Sequence, residues 1–386
     1  MATYNRLPVA FASGSGAWLV DQHGERYLDA LSGISVCGLG HSHPAVTRAL
    51  SEQVGLLLHT SNLYQIPLQE QLAGRLCELS GLDKVFFANS GAEANETAIK
   101  LCRKYAYKKD INSPVIVVMD GSFHGRTMAT LTATGNDKVK EGFAPLLPGF
   151  QQIPYNDIKA LHALTGSAMD IVAVMLEPVQ GEGGINIPAP GYLKAVSEIC
   201  SENEWLLVLD EIQTGLCRTG KWFAWQYEEA KPDIMTLAKA LGNGVPIGAC
   251  LATDKVAAAL LAGSHGSTFG GNPLASRAGL VVLDYMTANS FDQRAQSLGE
   301  EMLSHFKQLL GQLPGVKEVR GRGLMIGIEL HADCPELVAR ALHQHLLINV
   351  TNGNVVRLLP PLIISDAEAE QIVTRVSDLI VDYLAG

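Results

Sequence analysis

The sequence predicts an α/β fold: an open, largely parallel sheet with its site at the C-terminal ends of the strands, followed by a smaller α+β domain. Two observations predict it. Apolar runs recur as far as the "PDIMTLAK" segment; most end in a polar loop and alternate with stretches of helical spacing, the pattern of βα units. After about residue 275 the pattern changes to a long helical region, two strands around Gly321–Gly323, a helix, the strand "NVVRLLPPL" and a last helix from Asp366. With 386 residues, 47% of them hydrophobic, the chain can build more than one domain. The expected division is 1–50 as an N-terminal segment packing with the small domain, 51–275 as the large domain and 276–386 as the small one.

Composition excludes some functions. Net charge is −10, which opposes a general nucleic-acid or anionic-membrane binder. No stretch of about 18 apolar residues exists to span a membrane. Met1–Arg6 is polar and no long apolar run follows, so no signal peptide is expected. Seven scattered cysteines without a close-spaced framework point to reduced thiols in a cytosol.

In chain order, "AWLVDQHGERYLDAL" reads as strand, turn at His23–Gly24, strand. Pro44 suits the first turn of a helix running to about Leu58. His41 and His43 lack an acidic or cysteine partner spaced to complete a metal site, and are expected to satisfy turn and cap hydrogen bonds. Val85–Ala88 is a short buried strand, Asn89, Ser90 and Gly91 a turn, and a helix follows to about Tyr107. Such a turn points free N–H groups outward at a helix N-terminus, where an anion is favoured or an ordinary cap suffices. Strand Val115–Met119 leads to a loop with Phe123 and Arg126, an aromatic and a cation that could stack on a planar ring and grip a carboxylate, or simply pack at the surface. Strand Ile171–Leu176 leads to Glu177, Gln180 and Glu182 in a glycine loop, and "LLVLDEIQTG" places Asp210 and Glu211 at another strand end.

Lys239 lies in "TLAKALGNGVPIGA", with apolar residues before it and a glycine-rich loop after it. A lysine held in such a place loses solvation, its pKa falls, and its amine becomes a nucleophile towards a carbonyl. A rival reading comes from "GLCRTGKW", Gly215–Trp222, which matches the phosphate-loop pattern except at its last position. Trp222 has no hydroxyl to ligate magnesium, and the acidic strand precedes the loop instead of following it, so a nucleotide-binding protein is disfavoured. A catalytically dead binding protein would lack the lysine or the acid, and both are present.

Taken together, "NSGAEANETAIK", "FHGRT", "EPVQGEGG", "LDEIQTGLCRTGKW", "TLAKALGNGVPIGA" and "STFGGNPLA" resemble the class III, pyridoxal-phosphate-dependent aminotransferases of fold type I, nearly end to end and in the family's order. The resemblance implies a mostly parallel seven-stranded sheet flanked by helices. It implies that Lys239 attaches the cofactor and shuttles a proton, that Asp210 sits against the pyridine nitrogen, that Gln213 bonds the ring oxygen and that Phe123 stacks on the ring. Ser90, Gly91 and Ala92 would bind the phosphate. Thr268 would reach it from the neighbouring subunit, with Ser267 near the substrate, so the active unit would be a homodimer with shared sites. Arg126 would hold the donor's α-carboxylate, or glutamate's side-chain carboxylate. Arg357 would hold glutamate's α-carboxylate, with Glu182 as its removable counter-ion. Cys217 departs from the usual glycine and is expected to disturb local packing.

Within the family the wording most resembles enzymes that act on N-acetylornithine with 2-oxoglutarate in arginine synthesis. Ile34 stands where enzymes acting on free ornithine carry a tyrosine, and the lost hydroxyl favours an acylated α-amine. Tyr4 matches an N-terminal tyrosine of those same enzymes. N-succinylornithine, N-succinyl-diaminopimelate, GABA and ornithine remain alternative donors.

Overall fold

The computed structural model describes residues 1–386. The chain opens as a meander of three short strands, β1 (Phe11–Ser15), β2 (Trp18–Asp21) and β3 (Arg26–Asp29). The β2–β3 turn is held by Asp21, whose Oδ1 accepts the N–H of His23 at 2.8 Å and of Glu25 at 2.9 Å. This is local side-chain turn chemistry that aspartate supplies readily.

Seven strands then build the central sheet: β4 (Lys84–Ala88), β5 (Val115–Met119), β6 (Phe150–Ile153), β7 (Ile171–Leu176), β8 (Leu206–Asp210), β9 (Ile234–Leu237) and β10 (Gly248–Ala252). Their order is β4-β10-β9-β8-β7-β5-β6. β10 pairs antiparallel with both neighbours, and the other pairings are parallel. Helices cover the sheet, so β7, β8, β9 and β10 are buried along their whole length; hence their continuous apolar runs. The Gly91–Tyr107 helix packs its buried residues, among them Ala94, Ala98, Leu101 and Cys102, towards the sheet.

The remaining strands are β11 (Val316–Arg322), β12 (Met325–Leu330), β13 (Leu346–Leu347), β14 (Asn349–Thr351) and β15 (Val355–Leu358). β11, β12, β15 and β14 form an antiparallel sheet. β13 instead pairs with β3, joining the N-terminal meander to the C-terminal third of the chain. No helix is long and apolar enough to cross a membrane.

Several local expectations need correction. The Pro44 helix ends at Val54 rather than about Leu58, stopping at Gly55. The helical region after Asn272 is two helices, Pro273–Ala288 and Phe291–Leu310, broken where Ser290 takes a left-handed φ of 49°. Gly321 and Arg322 belong to β11, and the hairpin turns at Gly323, where a Cβ would lie 2.4 Å from the Thr219 carbonyl carbon. His41 binds the Asp29 carboxylate at 2.8 Å, a bond that raises its pKa to about 9. His43 makes no cap bond: its Nδ1 has no partner, and its ring packs edge-on to Tyr285.

"GLCRTGKW" forms turns with no long helix after it. Cys217 there is fully buried at a left-handed φ of 67°, a conformation that suits the glycine usual at this place. Arg218 is buried at the junction of the two parts of the chain. Its Nε donates to Ser35 Oγ at 2.9 Å, and its Nη1 donates to the carbonyls of Leu324 and Pro360 at 2.9 and 2.6 Å. Burial without a carboxylate lowers its pKa to about 9. Arg218→Leu strips these acceptors of their donor, and we expect a loss of about 3 kcal/mol, read as a lower urea midpoint at unchanged slope. A midpoint equal to wild type would show that the junction does not depend on this cation.

Candidate active site

The parallel strands point their C-terminal ends at one edge of the sheet, and all but β6 deliver a part of a shared cavity. β4 gives Asn89 and Ser90, β5 gives Phe123 and Arg126, β7 gives Glu177 and Glu182, β8 gives Asp210 and Gln213, and β9 gives Lys239. The cavity measures about 390 Å³.

Ser90 caps the Gly91–Tyr107 helix, its Oγ accepting the Glu93 N–H at 3.2 Å. The first N–H groups of that helix have no carbonyl within it to bind. A Cβ at Gly91 would lie 2.8 Å from Ile212 Cδ1 and would push that side chain aside, so glycine keeps this turn close to Ile212.

Asp210 is 3% exposed and held on both oxygens. Oδ2 accepts from His124 Nδ1 at 2.8 Å and Asn95 Nδ2 at 2.7 Å, and Oδ1 accepts the Ile212 N–H at 3.1 Å. Asn95 is itself fixed, donating to the His124 carbonyl at 2.8 Å and accepting from Thr236 Oγ1 at 2.7 Å. A carboxylate partner puts the imidazole proton on Nδ1. Glu177 turns inward and accepts the N–H of Phe123 at 3.0 Å and of Gly181 at 3.1 Å. Burial pushes its pKa up to about 7. Asn95, His124 and Glu177 were not singled out from sequence as site residues, although His124 stands inside the "FHGR" segment.

Lys239 follows β9 with a left-handed φ of 45°, and Asn243 repeats this at 46°. Asn243 ties their turn to the N-terminal segment, accepting the Leu39 N–H at 2.8 Å and donating to the Gly40 carbonyl at 3.1 Å. Desolvation lowers the Lys239 pKa to about 8; Glu182 and Asp210 oppose the shift, and Arg357 adds to it.

Arg357, on β15, is 1% exposed. Its Nη1 donates to Glu182 Oε1 at 2.6 Å and lies 3.5 Å from Gln213 Oε1. Arg126 is exposed, its guanidinium 5.7 Å from the centre of the Phe123 ring. A second, polar cavity of about 500 Å³ shares Phe123, Arg126 and Glu182 with the first.

Five expected residues stay outside the first cavity: Arg357, which meets it only through the lining residues Glu182 and Gln213, and Thr268, Ser267, Tyr4 and Ile34. Thr268 is exposed, and Ser267 Oγ accepts instead from Asn89 Nδ2 at 3.2 Å. Tyr4 is 74% exposed. Ile34 does not face the cavity: left-handed φ values at Gly33, Ile34 and Ser35 turn its side chain into an apolar cluster with Val179, Ile185, Met325 and Leu359. The same loop contributes Val36 to the cavity.

The residues present fit pyridoxal 5'-phosphate, the cofactor the resemblance implies. A helix N-terminus without side chains in the way suits a phosphate. A buried, doubly held carboxylate suits a ring nitrogen that must stay protonated, and a desolvated lysine suits a carbonyl.

The comparisons agree with this geometry. A family model described as aminotransferase class-III matches residues 2–380. The chain is 56% identical to the acetylornithine aminotransferase of Nitrosomonas europaea, over 100% of this chain and 98% of that protein. It superposes with a TM-score of 0.86 on the N-acetylornithine aminotransferase of Stenotrophomonas maltophilia, at 38% identity over 99% of this chain and 98% of that one. It superposes at 0.94 on an ornithine aminotransferase of Toxoplasma gondii whose active site partly holds pyridoxal phosphate, at 37% identity over 98% and 91%. A seven-stranded, mostly parallel sheet, a lysine and an acid at its strand ends and a full-length family match lead to one conclusion: this chain belongs to the class III aminotransferases.

Proposed function

We propose that the chain transfers the terminal amino group of N-acetylornithine to 2-oxoglutarate, yielding N-acetylglutamate 5-semialdehyde and glutamate in the cytoplasm, with pyridoxal 5'-phosphate as cofactor. The observation that carries this is a pair of guanidiniums on either side of Glu182: Arg126, open at the cavity that Glu182 also lines, and buried Arg357, closed off by Glu182. An unpaired buried cation is costly. Glu182 therefore serves the donor, which has no carboxylate for Arg357, and leaves when glutamate brings one. The polar space beyond Arg126 gives room for an acyl group beside the donor's carboxylate.

Pyridoxal phosphate, when bound, supplies a carbonyl that takes up an amino group and a ring that accepts electrons as the donor carbon loses a proton. Ser90, Gly91 and Ala92 would hold its phosphate, Phe123 would pack on the ring and Gln213 would bond the ring oxygen. Asp210 would keep a proton on the ring nitrogen. Lys239 would attach the cofactor, and its desolvated Nζ is suited to take up and return a proton. The homodimer brings Thr268 and Ser267 of each chain to the other's site. Exposed Leu56, Leu63, Tyr64 and Phe269 support an apolar interface there, with Asn62 bonding the Ser267 and Gly270 carbonyls.

The test is a single-turnover series, following the visible band of the cofactor-loaded enzyme on mixing with N-acetylornithine, N-succinylornithine, N-succinyl-diaminopimelate, ornithine, GABA or glutamate. N-acetylornithine and glutamate are expected to react fastest, with ornithine and GABA slower by on the order of tenfold or more, since leaving a buried polar group unmatched costs about 1–3 kcal/mol. Faster bleaching by ornithine or GABA would overturn the donor assignment and leave the cofactor chemistry standing.

A further inference from the structure

We infer that β14 is a two-point jig for the carboxylate exchange at Arg357, with Asn349 positioning the guanidinium and Thr351 positioning the backbone of Glu182. The inference rests on the exchange proposed above. It adds the residues that let one arginine accept two carboxylates in turn.

Asn349 and Thr351 are two apart on one strand, so their side chains leave the same face. Asn349 Oδ1 accepts from Arg357 Nε at 3.1 Å and from Nη2 at 2.7 Å. That occupies the side edge of the guanidinium with a neutral oxygen. Glu182 meets the other end, at Nη1. An arginine has five N–H donors in a fixed fork. Two are taken by Asn349 and one by Glu182, and Nη1 also faces Gln213 Oε1 at a long 3.5 Å; when Glu182 leaves, the Nη1–Nη2 edge is presented to an incoming carboxylate for a bidentate grip. Because Asn349 is uncharged, it orients Arg357 without neutralising it.

Thr351 completes the jig. Its Oγ1 donates to the backbone carbonyl of Glu182 at 2.5 Å. Two residues on, Arg320 of β11 grips the Gly184 carbonyl from Nη2 at 2.6 Å and the Ile185 carbonyl from Nε at 2.9 Å. On the near side the Gly181 N–H donates to Glu177 Oε1 at 3.1 Å. With its backbone held at these points, Glu182 exchanges by rotating its side chain while the loop stays in place.

The test uses the cofactor-loaded enzyme and the donor that bleaches it fastest in the series above. Half-reaction KM values are measured for that donor and for glutamate, together with the calorimetric Kd of glutarate, which has two carboxylates and no amine. Asn349→Asp keeps the acceptor and adds a counter-ion that cannot leave. It is expected to raise the glutamate KM and the glutarate Kd by on the order of tenfold, with the donor KM moving by less than about threefold, and to do so at least as strongly in the Glu182→Gln background, where glutamate no longer displaces a counter-ion that the new charge also weakens. Thr351→Val is expected to lower the glutamate KM about threefold by loosening Glu182, an effect that Thr351→Ser does not show and that disappears in the Glu182→Gln background. Equal shifts for donor and glutamate in Asn349→Asp, or a Thr351→Val effect that survives Glu182→Gln, would overturn the jig. If Glu182→Gln alone leaves the glutamate KM and glutarate Kd unchanged, the exchange itself fails, which separates that reading from this one.

Discussion

Lys239→Ala will lose amino-group transfer, with kcat falling by on the order of 10⁴-fold or more. Proton transfer by a positioned side chain is worth roughly 10²–10⁴-fold, and this variant also loses the nucleophile that attaches the cofactor. Neighbouring chemistry offers no substitute: the nearby cations, Arg126 and Arg357, are guanidiniums and supply no primary amine. The amine is suited to its task because burial has lowered its pKa to about 8. The sign follows directly. Below pH 8 the amine is protonated and inert towards a carbonyl; above it the neutral amine attacks. Uptake of pyridoxal phosphate by cofactor-stripped protein is therefore expected to speed up about tenfold per pH unit below 8 and to level off above it. Stopped-flow absorbance on wild type and Lys239→Ala reads both effects. Turnover by the variant within tenfold of wild type would sink the assignment of Lys239.

The parts of this site that could be read from sequence are those that one segment settles by itself. Val115–Met119, Ile171–Leu176 and Leu206–Asp210 are apolar runs ended abruptly by polar residues, because a strand buried on both faces has no reason to alternate. Asp210, Lys239 and the Asn89–Gly91 turn lie at the ends of such runs and could be found with them. β6 and β10 were missed for opposite reasons. β6 is an edge strand whose middle is two glutamines, and β10 is five residues of mostly small side chains beside a glycine-rich loop. The break at Ser290 has neither proline nor glycine to announce it. Partnerships across the chain were also illegible. Asn95 meets Asp210 from 115 residues away, Arg218 meets Pro360 from 142 and Thr351 meets Glu182 from 169. Ile34 shows the limit of motif matching: four consecutive left-handed φ values, from Ser32 to Ser35, aim the side chain away from the cavity, which no alignment of residue types encodes.

Asp210→Ala will lower kcat by roughly 10²–10³-fold, the scale of losing one preorganised electrostatic contact at a reacting centre, and will weaken cofactor binding. Asp210→Asn is the sharper variant. Oδ2 now accepts from two donors, His124 Nδ1 and Asn95 Nδ2, while Oδ1 accepts the Ile212 N–H. An asparagine must turn its NH₂ group towards one of these positions, setting donor against donor in a buried place, besides removing the charge. We therefore expect Asp210→Asn to be at least as damaging to kcat as Asp210→Ala, although it is the closer isostere. Steady-state kcat together with the pH dependence of the visible band separates loss of the ring-nitrogen proton from simple loss of cofactor. An unchanged kcat would mean that another buried acid does this work, and the structure leaves little choice. Glu211 is bound to Thr214 and to the Trp225 N–H, and burial raises its pKa to about 7. Glu177 has each oxygen engaged by a backbone N–H, and burial raises its pKa to about 7 as well. Both are committed to holding loops in place and are poorly suited to remain anionic beside a protonated ring. Asp210 has a histidine and an amide supporting its charge, and it is the acid at the end of the strand next to the one that delivers Lys239.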